Sequence, residues 1–354
     1  MNSAGRRNSM TLLNKNDLKL FGRYYFYGMF IHCSDIRQQM NEAGQGRKSF
    51  LFGIDFEMEE GFFLADPLAQ QTVLFDIHGA GNAPQLPEKM PPHHFEAFPE
   101  AYPIYQERFQ TVMNGLKRGD SYLTNLTIRT PVSTSLSLED IFRYAHARYR
   151  LCLPGKFVCF SPECFVQMKE GKIITFPMKG TIDARQTNAR QTILNDRKET
   201  AEHNTIVDLL RNDLSRIASG VKVNRFRYID ELLTSNGTIL QVSSEIEGSL
   251  PEGYLDQLGS LFFALLPAGS VSGAPKRATI DLIRRAEKEP RGYYSGVAGY
   301  FDGERLESFV MIRYIEQQGG DLFFRSGGGI TTNSICLNEY REAVQKVYLP
   351  FQNL

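Results

Sequence analysis

Ile173-Ile174-Thr175-Phe176-Pro177-Met178-Lys179-Gly180-Thr181 is the stretch on which the reading of this chain turns. The β-branched apolar run predicts a strand that stops at Pro177, which has no N–H for a ladder, and turns at Gly180. A strand end can hold a reactive side chain rigidly over a pocket, and Lys179 stands at this one. A lysine in a turn is ordinarily just solvated. Its meaning depends on the residues that accompany it elsewhere.

Around this stretch the pattern is mixed. Residues 20–31 and 50–64 are aromatic and alternating, as in Phe50-Leu51-Phe52-Gly53-Ile54-Asp55-Phe56, and predict a small antiparallel sheet. Six prolines between 82 and 103 mark a linker or long loop. Helices are expected over 105–116, 194–218, 255–266, 276–289 and 338–348, and strands over 121–132, 156–176, 293–301 and 308–326. There is no regular βαβ alternation, so the class is α+β and not a doubly wound sheet. The expected division is a disordered leader or tag remnant over 1–10, a sheet-rich N-terminal part over 11–100 and a catalytic core over 101–354.

Composition narrows the function. The chain has 354 residues, 42% of them hydrophobic, and can bury a large core. Lys+Arg 40 balances Asp+Glu 40, which argues against nucleic acid or an anionic membrane as partner. No apolar run reaches the roughly 18 residues of a spanning helix, and the first residues lack a secretory signal. Five cysteines with no C-x-x-C pair read as reduced thiols of a cytoplasmic protein.

Three groups of residues carry chemistry. In the helix around Glu199–Leu210, positions 202, 206 and 209 share a stripe, which places Glu202 with the apolar Ile206 and Leu209. A carboxylate on such a stripe must be paired or bind a cation. Glu339 and Glu342 lie one turn apart on the last helix, and the two helices together could present oxygens to Mg²⁺. Glu163 follows the strand before it in Ser161-Pro162-Glu163. Pro267 through Lys276 and Arg325 through Ile330 read as bare-backbone loops. Arg313 could clamp a carboxylate through both of its arms. No Gly-Lys-Ser/Thr phosphate loop and no Gly-x-Ser-x-Gly elbow occur, and the six histidines have no metal-ligand spacing.

Taken together, these segments resemble the chorismate-utilising enzymes, which include anthranilate synthase large subunits, aminodeoxychorismate synthase component I, and isochorismate and salicylate synthases. The matching pieces are Ser161-Pro162-Glu163, Pro177 through Thr181, Ala201-Glu202-His203 with Asp208 through Asp213, Pro267 through Lys276, Arg291 through Gly296, Ser326 through Ile330, and Glu339-Tyr340-Arg341-Glu342. The resemblance implies an anthranilate-synthase-like fold of two packed antiparallel sheets flanked by helices, an α/β/β/α sandwich. It also implies Mg²⁺ held through Glu202, Glu339 and Glu342. Chorismate would meet Arg313, Gly328, Tyr294, Lys276, Ser270, Thr181, Gly327 and Gly329.

Within the family, Lys179 stands where anthranilate synthases read Ala, and a lysine there marks aminodeoxychorismate synthase. The relatives that add water place a basic lysine near residue 122, whereas this chain reads Ser121-Tyr122-Leu123-Thr124-Asn125. Gln241 occupies the place of a histidine common in the family, and its presence fits a product that keeps the enolpyruvyl group. Leu123 and Tyr314 also depart from the usual Gln and Thr. No tryptophan-feedback signature is present. The implied reaction replaces the chorismate 4-hydroxyl by ammonia in p-aminobenzoate and folate synthesis. Lys179 would be the nucleophile, its pKa lowered by burial or a nearby cation, and Glu163 the acid. None of the cysteines sits in a glutaminase elbow, so a separate glutamine amidotransferase subunit is the expected partner. The competing readings are an anthranilate synthase large subunit, isochorismate or salicylate chemistry, and a non-catalytic chorismate-binding subunit.

Overall fold

The computed structural model describes residues 29–84, 90–234 and 237–351. The expected leader over 1–10, and most of the strand expected over 20–31, lie outside these residues. Every strand pairing among the described residues is antiparallel.

Among the described residues the strands form two sheets. The larger has ten strands, ordered Phe30–His32, Glu60–Ala65, Phe50–Ile54, Val297–Phe301, Leu306–Val310, Cys164–Lys169, Lys172–Thr175, Gly237–Ser249 and Met178–Asp183, with Ser219–Thr234 also on Gly237–Ser249. The second has nine, ordered Gly273–Ala274, Leu123–Thr134, Asp321–Ile330, Tyr314–Gln318, Phe157–Ser161, Tyr149–Leu153, Leu74–Ile77 and Ala80–Gly81, with Phe95–Ala97 beside Leu123–Thr134. The sheets bury their facing sides together: Leu51, Phe62, Ala298 and Phe309 of the first meet Phe75, Leu151, Phe157 and Tyr314 of the second. Helices Cys33–Gln45, Arg197–Leu214 and Leu258–Phe263 cover the outer face of the larger sheet. Helices Tyr102–Arg118, Lys276–Glu287 and Cys336–Gln345 pack on Leu126, Ile128 and Ile330 of the smaller one. This is the expected α/β/β/α order.

Position 100 is not a structural boundary. Phe50–Ile54 pairs with Val297–Phe301, and Leu74–Ile77 with Tyr149–Leu153, so the first hundred residues are woven into both sheets. The strand expected over 156–176 is three strands, and that over 308–326 takes in the end of Leu306–Val310, the whole of Tyr314–Gln318 and the start of Asp321–Ile330. The hairpin Ser219–Thr234/Gly237–Ser249 has no counterpart in the sequence reading. No residue of its first strand from 219 to 232 is buried, and bulges fall among Ser219, Lys222, Val223, Arg225 and Tyr228, so a period-two apolar pattern never builds up. All five cysteines are free.

Candidate active site

Lys179 does not sit in a turn after a strand, as the sequence suggests. One strand ends at Thr175, two residues before Pro177, whose carbonyl accepts a hydrogen bond from Ser244 N–H. A second strand begins at Met178, and its register against Gly237–Ser249 shifts between Met178 and Thr181. Lys179 and Gly180 occupy this bulge, with Gly180 at φ +87°. A bulge leaves a residue unpaired and re-aims its side chain. Here Lys179 is turned toward the helix Arg197–Leu214, where its Nζ lies 2.6 Å from Glu202 Oε2.

That helix is rotated from its expected orientation by about one position. The buried stripe is His203, Val207, Leu210 and Leu214, while Glu202 and Ile206 lie on its margin and line a chamber. Glu202 is therefore not a core carboxylate but one facing the site. His203, buried beside it, shares a 2.7 Å hydrogen bond between Nε2 and Ser244 Oγ, which ties the helix to the strand opposite Met178.

The acids gather as expected, and each has an ammonium group near it. Lys198 Nζ stands between Glu202 Oε1 at 3.7 Å and Glu339 Oε1 at 3.8 Å. Lys346 Nζ lies 2.7 Å from Glu342 Oε1. Neither lysine was singled out in the sequence, although both are spaced i, i+4 from their acids, the pattern that betrays such pairs. Burial pushes the Glu339 carboxyl upward, and the Glu342 and Glu202 charges add to this against Ser334 and Lys198. Glu342 is half exposed: what burial it has pushes its carboxyl up, but Lys346, helped by Lys179 and Lys198, outweighs this and holds it below the usual range. Carboxylates that repel one another and converge on an ammonium make a donor set suited to a hard cation. Among the described residues no group of three or more His, Cys, Asp or Glu side chains is placed to hold a metal ion by itself. A cation that keeps waters and takes substrate oxygens needs none.

Two connected spaces meet at Lys179. A cleft of about 620 Å³ is lined by Glu163, Thr181, Ser270, Tyr294, Arg313, Gly327, Gly328, Gly329 and Glu342 among others. A chamber of about 110 Å³, walled by Leu123, Phe165, Phe176, Ile206 and Leu210, adjoins it. Lys179, Glu163, Met178, Ser270 and Gly329 line both. The three glycines are not a loop after a strand, as expected, but the end of Asp321–Ile330, paired with Leu123–Thr134. A Cβ on Gly328 would lie 3.5 Å from Glu342 Oε1 and 3.8 Å from Glu339 Oε2, so glycine keeps the approach to the acids open.

Glu163 accepts a 2.6 Å hydrogen bond from Ser270 Oγ. Burial raises its carboxyl above the ordinary value, opposed by Ser270 and Lys346. Lys179 moves opposite to expectation. Burial pulls its ammonium pKa down, but Glu202, Glu199 and Glu342 outweigh burial and leave it raised. Arg313, in the left-handed region at φ +53°, donates from Nη1 to Lys346 O at 3.3 Å and lines the cleft. Lys276 is not brought to the cleft: its ammonium pairs with Asp213 Oδ2 at 2.9 Å and donates to Leu265 O at 2.5 Å. Gln241 lines the cleft opposite Thr181. Glu199 and Asn125, neither expected, line it too.

One buried ion pair frames the site. Arg291 and Glu287, each 1% exposed, form a bidentate contact at 2.6 and 2.9 Å. Arg291 also donates to Val271 O and Asn125 O, while Glu287 accepts from Thr127 N–H and Oγ1–H. Glu287→Gln leaves the guanidinium charge buried without its partner. It is expected to lower stability by about 3–5 kcal/mol, read as a fall in the urea midpoint at unchanged slope.

Comparison with known proteins points to one family. Residues 47–351 match the family model described as chorismate binding enzyme. An uncharacterized PabA-like protein of Haemophilus influenzae is 48% identical over 318 residues, covering 89% of this chain and 96% of that protein. The aminodeoxychorismate synthase component 1 of Bacillus subtilis is 31% identical over 268 residues, 70% of this chain and 56% of that one, so the match spans just over half of that relative. Among solved structures, anthranilate synthase component I of Streptococcus pneumoniae is 27% identical with a TM-score of 0.60, covering 73% of this chain and 59% of that one.

Proposed function

Because the chain belongs to the chorismate binding enzymes, we propose that it replaces the 4-hydroxyl of chorismate by an amino group, giving 4-amino-4-deoxychorismate for p-aminobenzoate and folate synthesis. The observation that carries this reading is Lys179, aimed by a bulge into the space it shares with Glu163. Anthranilate chemistry proceeds in relatives with alanine at this place.

Hydroxide is a poor leaving group, and a covalent intermediate divides the substitution into two easier displacements. The Lys179 amine forms a bond to the ring as the C–O bond breaks, and Glu163 delivers its proton so that water departs. Ammonia then forms the new C–N bond, the bond to Lys179 breaks, and the lysine recovers its electron pair. Arg313, Gly328 and Tyr294 face the enolpyruvyl carboxylate, and Thr181, Ser270, Gly327 and Gly329 complete the walls. Glu202, Glu339 and Glu342 would hold Mg²⁺ together with waters and substrate oxygens, and the ion would supply positive charge for the ring carboxylate. Ammonia comes from a separate glutamine amidotransferase subunit.

The test is to incubate the protein with chorismate, Mg²⁺ and ammonium and weigh the product. An amino-substituted product that retains the pyruvyl group is expected. Anthranilate, or an isomer of unchanged mass, would overturn the reading. Chelation with EDTA is expected to lower turnover by at least about a hundredfold, since a metal worth several kcal/mol is lost. Added Mg²⁺ should restore it.

A further inference from the structure

Among the described residues that line the cleft, Asn125 carries a buried side-chain oxygen without a hydrogen-bond partner, and the proposed mechanism does not use it. Asn125 lies on Leu123–Thr134 opposite Gly329 and lines the cleft together with Glu163, Lys179 and Ser270. Its side-chain Oδ1 is buried and has no hydrogen-bond donor among the described residues. Gly329, across the ladder, offers no side chain to pair with it. A buried acceptor without a donor is unfavourable and points to a partner that arrives from outside the protein.

Asn125 is also held in one frame with the acid. Its backbone carbonyl accepts from Arg291 Nη2 at 2.8 Å, and Arg291 Nη1 donates to Val271 O at 3.0 Å. Val271 follows Ser270, whose hydroxyl donates to Glu163. The buried guanidinium thus fixes the Asn125 amide and the Glu163–Ser270 pair relative to each other.

Resting on the proposed function, the chemistry of the substrate selects the partner. Chorismate at neutral pH has two carboxylates and an ether oxygen, which only accept hydrogen bonds. Its 4-hydroxyl is its single donor. We propose that Asn125 Oδ1 receives the hydrogen of that hydroxyl and so turns the oxygen's lone pairs toward Glu163. The hydroxyl is then held from both sides, with its hydrogen on Asn125 and its lone pair facing the acid. Protonation by Glu163 lets it leave as water, one O–H still donated to Asn125. Asn125 is in this sense both a substrate contact and a determinant of which substituent is expelled.

The test uses the full chain with Mg²⁺ in a Lys179→Ala background, so that chorismate is bound but not consumed. Titration calorimetry compares chorismate with the analogue in which hydrogen replaces the 4-hydroxyl. Lys179→Ala alone is expected to prefer chorismate by roughly tenfold, the worth of one hydrogen bond. Adding Asn125→Leu should bring the two affinities together. Adding Asn125→Asp keeps an acceptor of the same reach, so the preference should persist while its charge weakens both ligands. Thermal unfolding of each variant shows that the comparison is made on folded protein. A full tenfold preference in Asn125→Leu would overturn the inference alone, because a group other than Asn125 would then receive the hydroxyl hydrogen. Absence of chorismate binding at every variant would overturn the proposed function and this inference with it.

Discussion

Lys179→Ala is expected to abolish amination with ammonium, lowering kcat on the order of a thousandfold or more, as for loss of a group that acts at the reacting atoms. The fold should tolerate the change. Lys179 lies in a bulge on the edge strand Met178–Asp183, and the hydrogen bonds that hold the strand are made by its backbone. What the variant loses is the amine that the bulge aims into the cleft. Intact-protein mass spectrometry separates nucleophile from bystander. Wild-type protein given chorismate and Mg²⁺ without ammonium should gain the mass of chorismate less one water, and Lys179→Ala should not. The lysine's resting state sets the pH dependence. Glu202, Glu199 and Glu342 keep its pKa raised above the ordinary value despite burial. The free amine is therefore scarce at neutral pH, and in Glu163→Gln, where no acid is lost as pH rises, the residual rate of adduct formation should climb with pH toward that raised value. Retention of half or more of the turnover by Lys179→Ala would sink the covalent step.

The sites of agreement and disagreement between sequence and structure share a cause. Glu163, Glu202, Glu339, Glu342 and the Gly327–Gly329 run were legible because each sits in a segment that carries the family resemblance. Glu163, Glu342 and the glycines line the cleft, Glu202 lines the adjoining chamber, and Glu339 lies 3.8 Å from the Lys198 ammonium that also neighbours Glu202. Their local settings were less legible, because these depend on partners far along the chain. The bulge at Lys179 exists only against Gln241 and Ser243. Gly327–Gly329 become strand only by pairing with Leu126, Asn125 and Thr127. The stripe through Glu202 was displaced by one position because two adjacent helical stripes both contain apolar residues, and only packing against the sheet chooses His203, Val207 and Leu210. Lys276, charged and beside a glycine turn, gave no sign that Asp213 would take its charge. Asn125 gave none either, since its importance lies in an acceptor left unpaired once everything around it is satisfied.

Glu163→Gln carries the second large expected effect, a loss of about 10²–10⁴ in kcat, the range for a positioned general acid. Gln keeps the shape of the side chain and an oxygen to accept from Ser270 Oγ, so the cleft should remain intact. It has no proton to deliver to the departing hydroxyl. In the native protein burial raises the Glu163 carboxyl, so the acid form persists to higher pH than for an ordinary glutamate. Activity that requires this form is present below the raised value and falls as pH climbs through it. The descending limb of the pH–kcat profile assigned to Glu163 should therefore vanish in Glu163→Gln. Ser270 supplies a signed control. Its hydrogen bond stabilises the carboxylate and holds the value down. Removing the bond in Ser270→Ala lets burial act unopposed by it, so the same limb should move to higher pH, with a loss of activity far smaller than that of Glu163→Gln. A Glu163→Gln variant with more than a tenth of native turnover and an unchanged pH profile would take the acid role away from this residue. A limb that moves to lower pH in Ser270→Ala would show that some other group titrates there.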